Sequence, residues 1–203
     1  MPRSFNDKEK EWIRNKIIEE GQKLFETYGF QKTSIDEIIK KTGISKGSFY
    51  AFFPSKEVLF FEILEKIEKE FKENLFNISF EKSKNIKETF RNFLIKSFEF
   101  IEKTPLLKYI TGKEIEYIMR KLPAELIKNH MAKDMNQFKD FIINNQKKGF
   151  FKQINVEDLL CFLKMISYIL FHKDEFTPKE YIAGRNIIID MIVEYLISDN
   201  INK

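Results

Sequence analysis

A single cysteine in 203 residues leaves no disulfide framework within the chain and no cysteine cluster to hold a metal. Two histidines, His130 and His172, leave little room for histidine-rich zinc chemistry, so no metal site is expected. Seven glycines and five prolines are too few for the turns of an all-β protein. No apolar run approaches the roughly 18–20 residues of a membrane span. The opening Met1-Pro2-Arg3-Ser4-Phe5-Asn6-Asp7-Lys8 lacks the apolar stretch of a signal peptide. What remains is an all-α chain, 43% hydrophobic and 33% charged, expected to be cytoplasmic, with no membrane partner and no cofactor.

Catalytic constellations are scarce too. Cys161 lies in an apolar helical run, which suits packing better than nucleophilic attack. The carboxylates fall on solvated helix faces opposite lysines, as in Glu65–Lys69 and Glu68–Lys72. No glycine-rich phosphate loop is present, and the chain is not expected to be an enzyme. Lysine outnumbers arginine 30 to 5, a bias toward A/T-rich codons that also accounts for 22 phenylalanines without any ligand.

Charge is uneven. Residues 1–56 carry 11 Lys+Arg against 8 Asp+Glu; the other 147 carry 24 against 23. The positive excess sits in the first quarter, which points to a nucleic-acid-facing part. There, Ile13, Ile17, Gly21, Leu24, Phe25 and Tyr28 recur at three- and four-residue steps, predicting a helix over Asp7–Tyr28 that Gly29 ends. A hydroxyl at Thr33 or Ser34 then caps a short helix with Asp36 and Glu37 at its positive end. Gly43 stops it, Ser45 caps a third helix running to Phe53, and Pro54 ends that one. Two short helices around a glycine turn describe a helix-turn-helix. A long connecting helix follows, over about 55–78.

The run Tyr28-Gly29-Phe30-x-x-Thr33-Ser34-Ile35-x-x-Ile38, then Gly43-Ile44-Ser45-Lys46-Gly47-Ser48-Phe49-Tyr50-x-x-Phe53-x-x-Lys56-x-x-Leu59, closely resembles the N-terminal domain of TetR-family transcriptional regulators. Thr42 stands where the family usually has alanine, and Phe52 where it often has histidine or tyrosine. The resemblance implies DNA contact by Thr33, Ser34, Ser45, Lys46, Gly47, Ser48, Tyr50 and Lys56, with Phe49 and Phe53 in the core. For Thr33, capping alone competes with contact; for Tyr50, simple packing does. It also implies a ligand-responsive regulator, usually a repressor, with DNA binding in residues 1–56 and effector binding and dimerisation in 57–203. The alternative is a helical protein-interaction module that has lost DNA binding.

Beyond residue 80 the patterning stays helical, over Ile86–Lys103, from Lys113 to about Pro123, from about Ala124 to Lys148, from Asn155 or Val156, and from Thr177-Pro178, for about nine helices in all. One recognition helix reads only a few base pairs, so a palindromic double-stranded operator calls for a homodimer. The two last helices are apolar nearly all round, which suits either a central core helix or a subunit interface. Cys161, Phe162, Met165, Tyr168, Ile188, Ile189, Ile192, Tyr195 and Leu196 are the interface candidates. A small, apolar effector of unknown identity is implied by the resemblance. Phe90, Phe93, Leu94, Phe98, Tyr109, Met119, Phe138, Phe141, Phe162 and Met165 are candidates to line its cavity, or else form core.

Overall fold

A computed structural model of the chain describes residues 6–76, 78, 80–107 and 110–197. Among these lie nine α-helices: α1 (Asp7–Tyr28), α2 (Ile35–Thr42), α3 (Lys46–Phe52), α4 (Lys56–Leu75), α5 (Ile86–Lys103), α6 (Gly112–Lys121), α7 (Ala124–Lys147), α8 (Val156–Phe171) and α9 (Pro178–Leu196). The described residues contain no β-pairing beyond one antiparallel bridge, Phe151 with Ile197. None of their helices is long and apolar enough to cross a membrane.

The chain forms two compact units, 1–71 with 103–110, and 72–102 with 111–203. The division falls inside α4, the long helix expected to connect the two parts of the chain. The three first-unit helices α2–α4 are each entered through a serine. Ser34 accepts from the Glu37 amide while Glu37 accepts from the Ser34 amide and hydroxyl; Ser45 accepts from the Ser48 amide; Ser55 accepts from the Val58 amide. Gly43 takes the left-handed conformation (φ 73°, ψ 22°) that ends α2 and turns the chain toward α3.

The first unit closes around phenylalanine. Phe25, Phe30 and Phe60 pack mutually, with ring centroids 5.3–5.8 Å apart, and Phe49 and Phe53 are sealed beside each other at 6.0 Å. Gly21 lets α1 settle on α4: a Cβ there would lie 3.0 Å from Leu59 Cδ2. Leu106 and Leu107, from the 3-10 turn Pro105–Leu107, are buried in the same unit, where the turn packs on α1.

The second unit has its own core, drawn from α5, α7, α8 and α9 together with Phe80 and Phe151. Phe93 stacks between Phe90 and Phe141 at 5.5 and 5.6 Å. The Gln146 side chain donates to the carbonyls of Lys152 and Ile154, and the Lys152 amide donates to Leu196 O at 2.7 Å. These bonds hold the connection from α7 to α8 against the end of α9.

Candidate nucleic-acid interface

The turn between α2 and α3 carries the expected tip. Ser34, Ser45, Lys46, Gly47 and Tyr50 are exposed and Ser48 is half-buried. Beneath them Phe49 and Phe53 are 0% exposed, as core residues should be. Tyr50 rests its ring edge-on against Phe49 at 5.5 Å and turns the rest to solvent. The tip is tied within itself: Ser45 Oγ both caps α3 and lies 2.9 Å from Ser48 Oγ.

Gly47 has no structural reason to be glycine. Its φ is not positive, and a Cβ there would meet nothing closer than Ser45 Oγ at 3.9 Å. Alanine is the better helix residue wherever the backbone is ordinary. The missing side chain leaves the exposed start of the α3 backbone bare.

Two expected DNA-contacting side chains are used internally. Thr33 is 1% exposed and its hydroxyl donates to Gly29 O at 2.9 Å, leaving no surface for a phosphate; Ser34, not Thr33, caps α2. The Lys56 ammonium donates to the carbonyls of Phe30 and Thr33, both at 2.8 Å, and sits 4.2 Å from the centre of the Phe30 ring. Lysine here closes the α1–α2 turn onto the start of α4. Neither role is visible in the sequence, since both partners are carbonyls placed by the fold.

Lys46 has a partner that sequence spacing did not reveal. Asp36, at the start of α2, accepts from its ammonium at 2.9 Å, and this hydrogen bond with the attendant charge attraction raises the lysine pKa. Both side chains are exposed, so the pair is exchangeable for a phosphate at small cost. Glu37 is held below the usual carboxylate range by the Ser34 amide and then its hydroxyl, and stays ionised at the α2 N-terminus. Arg14 reaches Glu62 and stacks over Phe53 at 5.2 Å, tying α1 to α4 behind the tip.

In the second unit the candidate interface and cavity residues sort themselves by exposure. Cys161, Phe162, Met165, Tyr168 and Tyr195 face outward, Met165 at 69%. Ile189, Ile192 and Leu196 do not: they belong to the unit's own core, and Ile188 packs against it half-buried. The outward stripe of α9 runs one step away, through Ile187, Met191 and Tyr195, at four-residue spacing. Of the cavity candidates, Phe90, Phe93 and Leu94 are core, and half-buried Phe141 packs against them. Phe138 packs against Phe76 at 5.3 Å, and Met119 is half-buried. Phe162 and Met165 are on the outside, and Tyr109 lies outside the described residues. Phe98 lines a cleft between α5, α8 and α9.

Residues 17–63 match the family model described as "Bacterial regulatory proteins, tetR family". The chain is 51% identical over 57 residues to the HTH-type transcriptional regulator YuxN of Bacillus subtilis (strain 168), covering 28% of this chain and 19% of that protein. It is 29% identical over 172 residues to YhgD of the same organism, described likewise, covering 83% of this chain and 89% of that one. In fold it superposes on a TetR-family transcriptional regulator from Pectobacterium atrosepticum with a TM-score of 0.75 at 18% identity, over 96% of this chain and 99% of that one.

Proposed function

We propose that this chain, whose residues 17–63 match the TetR-family model, is a TetR-family repressor that binds a palindromic operator as a homodimer and is released by a small effector. The observation that carries the DNA half is Gly47, bare at the exposed start of α3 where neither backbone nor packing calls for glycine. A major groove admits one helix, and a missing Cβ lets that helix seat more deeply. Ser34, Ser45, Lys46, Ser48 and Tyr50 then offer hydroxyls and one ammonium to phosphates and base edges, Lys46 exchanging Asp36 for DNA.

The dimer half is supported by the outward apolar faces of α8 and α9. Phe162, Met165 and Tyr168 on one helix, with Ile187, Met191 and Tyr195 on the other, are exposed in a single copy. Such a surface suits an isologous contact with a second copy. An effector acts by preferring the arrangement that fits DNA poorly; α4, which contains the boundary between the units, is the proposed lever.

Selection of bound fragments from random duplexes is expected to yield a palindrome. On that operator Gly47→Ala should weaken binding about tenfold, the scale of one good groove contact, while raising stability by about 0.5–1 kcal/mol. Unchanged affinity in a stable Gly47→Ala protein would remove α3 from the groove.

A further inference from the structure

The second unit contains a cleft whose shape and chemistry are not accounted for by its core. Phe98 of α5, Ile166 and Leu170 of α8, and Ile188 of α9 give it apolar walls. Tyr181, Gly184 and Arg185 line it from α9, and its empty volume, counted to the open mouth, is about 370 Å³.

Two independent features mark it. Gly184 lies within α9 at an ordinary φ, and a Cβ there would meet no described atom within 4 Å. Glycine is a poor choice inside a helix, and here it leaves the cleft unobstructed. The second feature is a pair of unmet donors. Tyr181 Oη and Arg185 Nε are shut from solvent and have no hydrogen-bond partner among the described residues, a state buried polar groups rarely keep. Arg185 is otherwise well held, its Nη1 donating to both oxygens of Glu102 at 2.9 and 3.0 Å. Burial, and then the Glu102 carboxylate, which lies near the phenol without closing a well-formed hydrogen bond, push the Tyr181 pKa up, so it remains a protonated donor.

We propose that this cleft binds a small uncharged molecule with an apolar body and one accepting oxygen, as in a ketone, ester or amide, bonded by Tyr181 Oη and Arg185 Nε. The class follows from what the site offers. Both open groups donate, so the ligand atom accepts. Glu102 already neutralises Arg185, and Glu180, which also lines the cleft, brings a second carboxylate occupied by the Thr177 amide and hydroxyl. An anion meets net negative charge there, and a cation leaves both donors unmet. This inference rests on the second unit being the ligand-responsive half, and its test is made without DNA so that the two can fail separately.

Acetophenone is the probe, titrated into the full chain and followed by saturation-transfer NMR. Isopropylbenzene has the same shape without the acceptor, and benzoate adds a charge. Acetophenone should bind saturably, at least about fivefold more tightly than either, the worth of one good hydrogen bond. Tyr181→Phe should weaken it about fivefold. Gly184→Leu, which fills the cleft, should abolish binding while melting temperature is kept or rises and oligomeric state is unchanged. Equal binding of acetophenone and isopropylbenzene, undiminished binding to Gly184→Leu, or no saturable binding at about 10 mM overturns the proposal. So does a Gly184→Leu protein that changes from dimer to monomer, since the glycine would then serve subunit approach. Acetophenone that binds as described but leaves operator affinity untouched supports the site and counts against the effector reading instead.

Discussion

In the first unit, helix ends are written in single residues: Ser34, Gly43 and Ser45 start or stop a helix within a stretch of twelve, and each makes the bond expected of it. In the second, α8 and α9 are apolar on almost every face, and the local chain does not say which face is inside. A capping hydroxyl acts on an amide three residues away, so its partner is in the same stretch of sequence. An isoleucine in a run of three is assigned to core or surface by helices a hundred residues distant: Ile189 belongs to the core that also contains Phe90, whereas Ile187 is exposed. Local determinants therefore make the α2–α3 tip readable, and tertiary ones hide the second unit's surfaces.

The largest expected effect tests whether the first unit's readability reflects a real core beneath the tip. Phe49→Ala removes a side chain that is fully enclosed next to Phe53 and Tyr50, and should cost about 3–5 kcal/mol in urea unfolding. Operator binding should be lost with it. A cost below about 1 kcal/mol would mean that α3 is held by its caps and not by its buried ring.

The next test divides α9. Ile187→Glu with Met191→Glu places charges on the outward stripe and should halve the molecular mass in sedimentation at micromolar concentration, while each subunit keeps its helix content. Ile189→Glu, two residues from the first site, should instead unfold the second unit, because that side chain is 0% exposed. If both variants behaved alike, the distinction between the two faces would collapse. The same pair shows why the outward face of α9 is only half legible in the sequence. Cys161, Phe162, Met165, Tyr168 and Tyr195 are exposed, and larger or more polar residues are poorer core material, but Ile187, Ile188 and Ile189 are chemically identical.

Within the first unit, legibility failed where a polar side chain is taken up by a group that the folded backbone places beside it. Helix limits such as Asp7–Tyr28 and the glycine at its end agree with the sequence pattern, and so does the burial of Phe49 and Phe53. Thr33 and Lys56 look like surface polar residues beside a basic tip, yet one is enclosed and the other is tied to the α1–α2 turn. Lys56→Met should accordingly lower stability by about 1.5–3 kcal/mol, the scale of a hydrogen bond to a charged donor, and leave the salt dependence of operator binding nearly unchanged. Lys46→Ala should do the reverse, with stability within about 0.5 kcal/mol and the logarithmic salt slope reduced by about one. A reduced slope in Lys56→Met would return that ammonium to the DNA.

The smallest effect separates the units by pH. Both histidines lie in the second unit, so histidine titration should move its stability and not that of the first. His172 Nδ1 lies 2.9 Å from Tyr168 O, its ring stacks on Tyr168 at 4.0 Å, and Nε2 faces Glu116 at 3.6 Å. The bond to the Tyr168 carbonyl, then the charges of Glu175 and Glu116, raise its pKa. A group whose pKa is higher folded than unfolded stabilises the fold below the unfolded value, about 6.5, and loses that contribution as pH rises through the folded value. The melting difference between the protein and His172→Asn should thus be on the order of 1 °C at acid pH and shrink above neutrality, with screening by solvent keeping it small. Gly112 supplies the control, because a Cβ there would lie 2.4 Å from the imidazole. Gly112→Ala must displace the ring, and should flatten the pH dependence without removing the histidine. A difference that grows with pH would show that His172 is held as the neutral ring, with Glu116 and Glu175 too well solvated to matter.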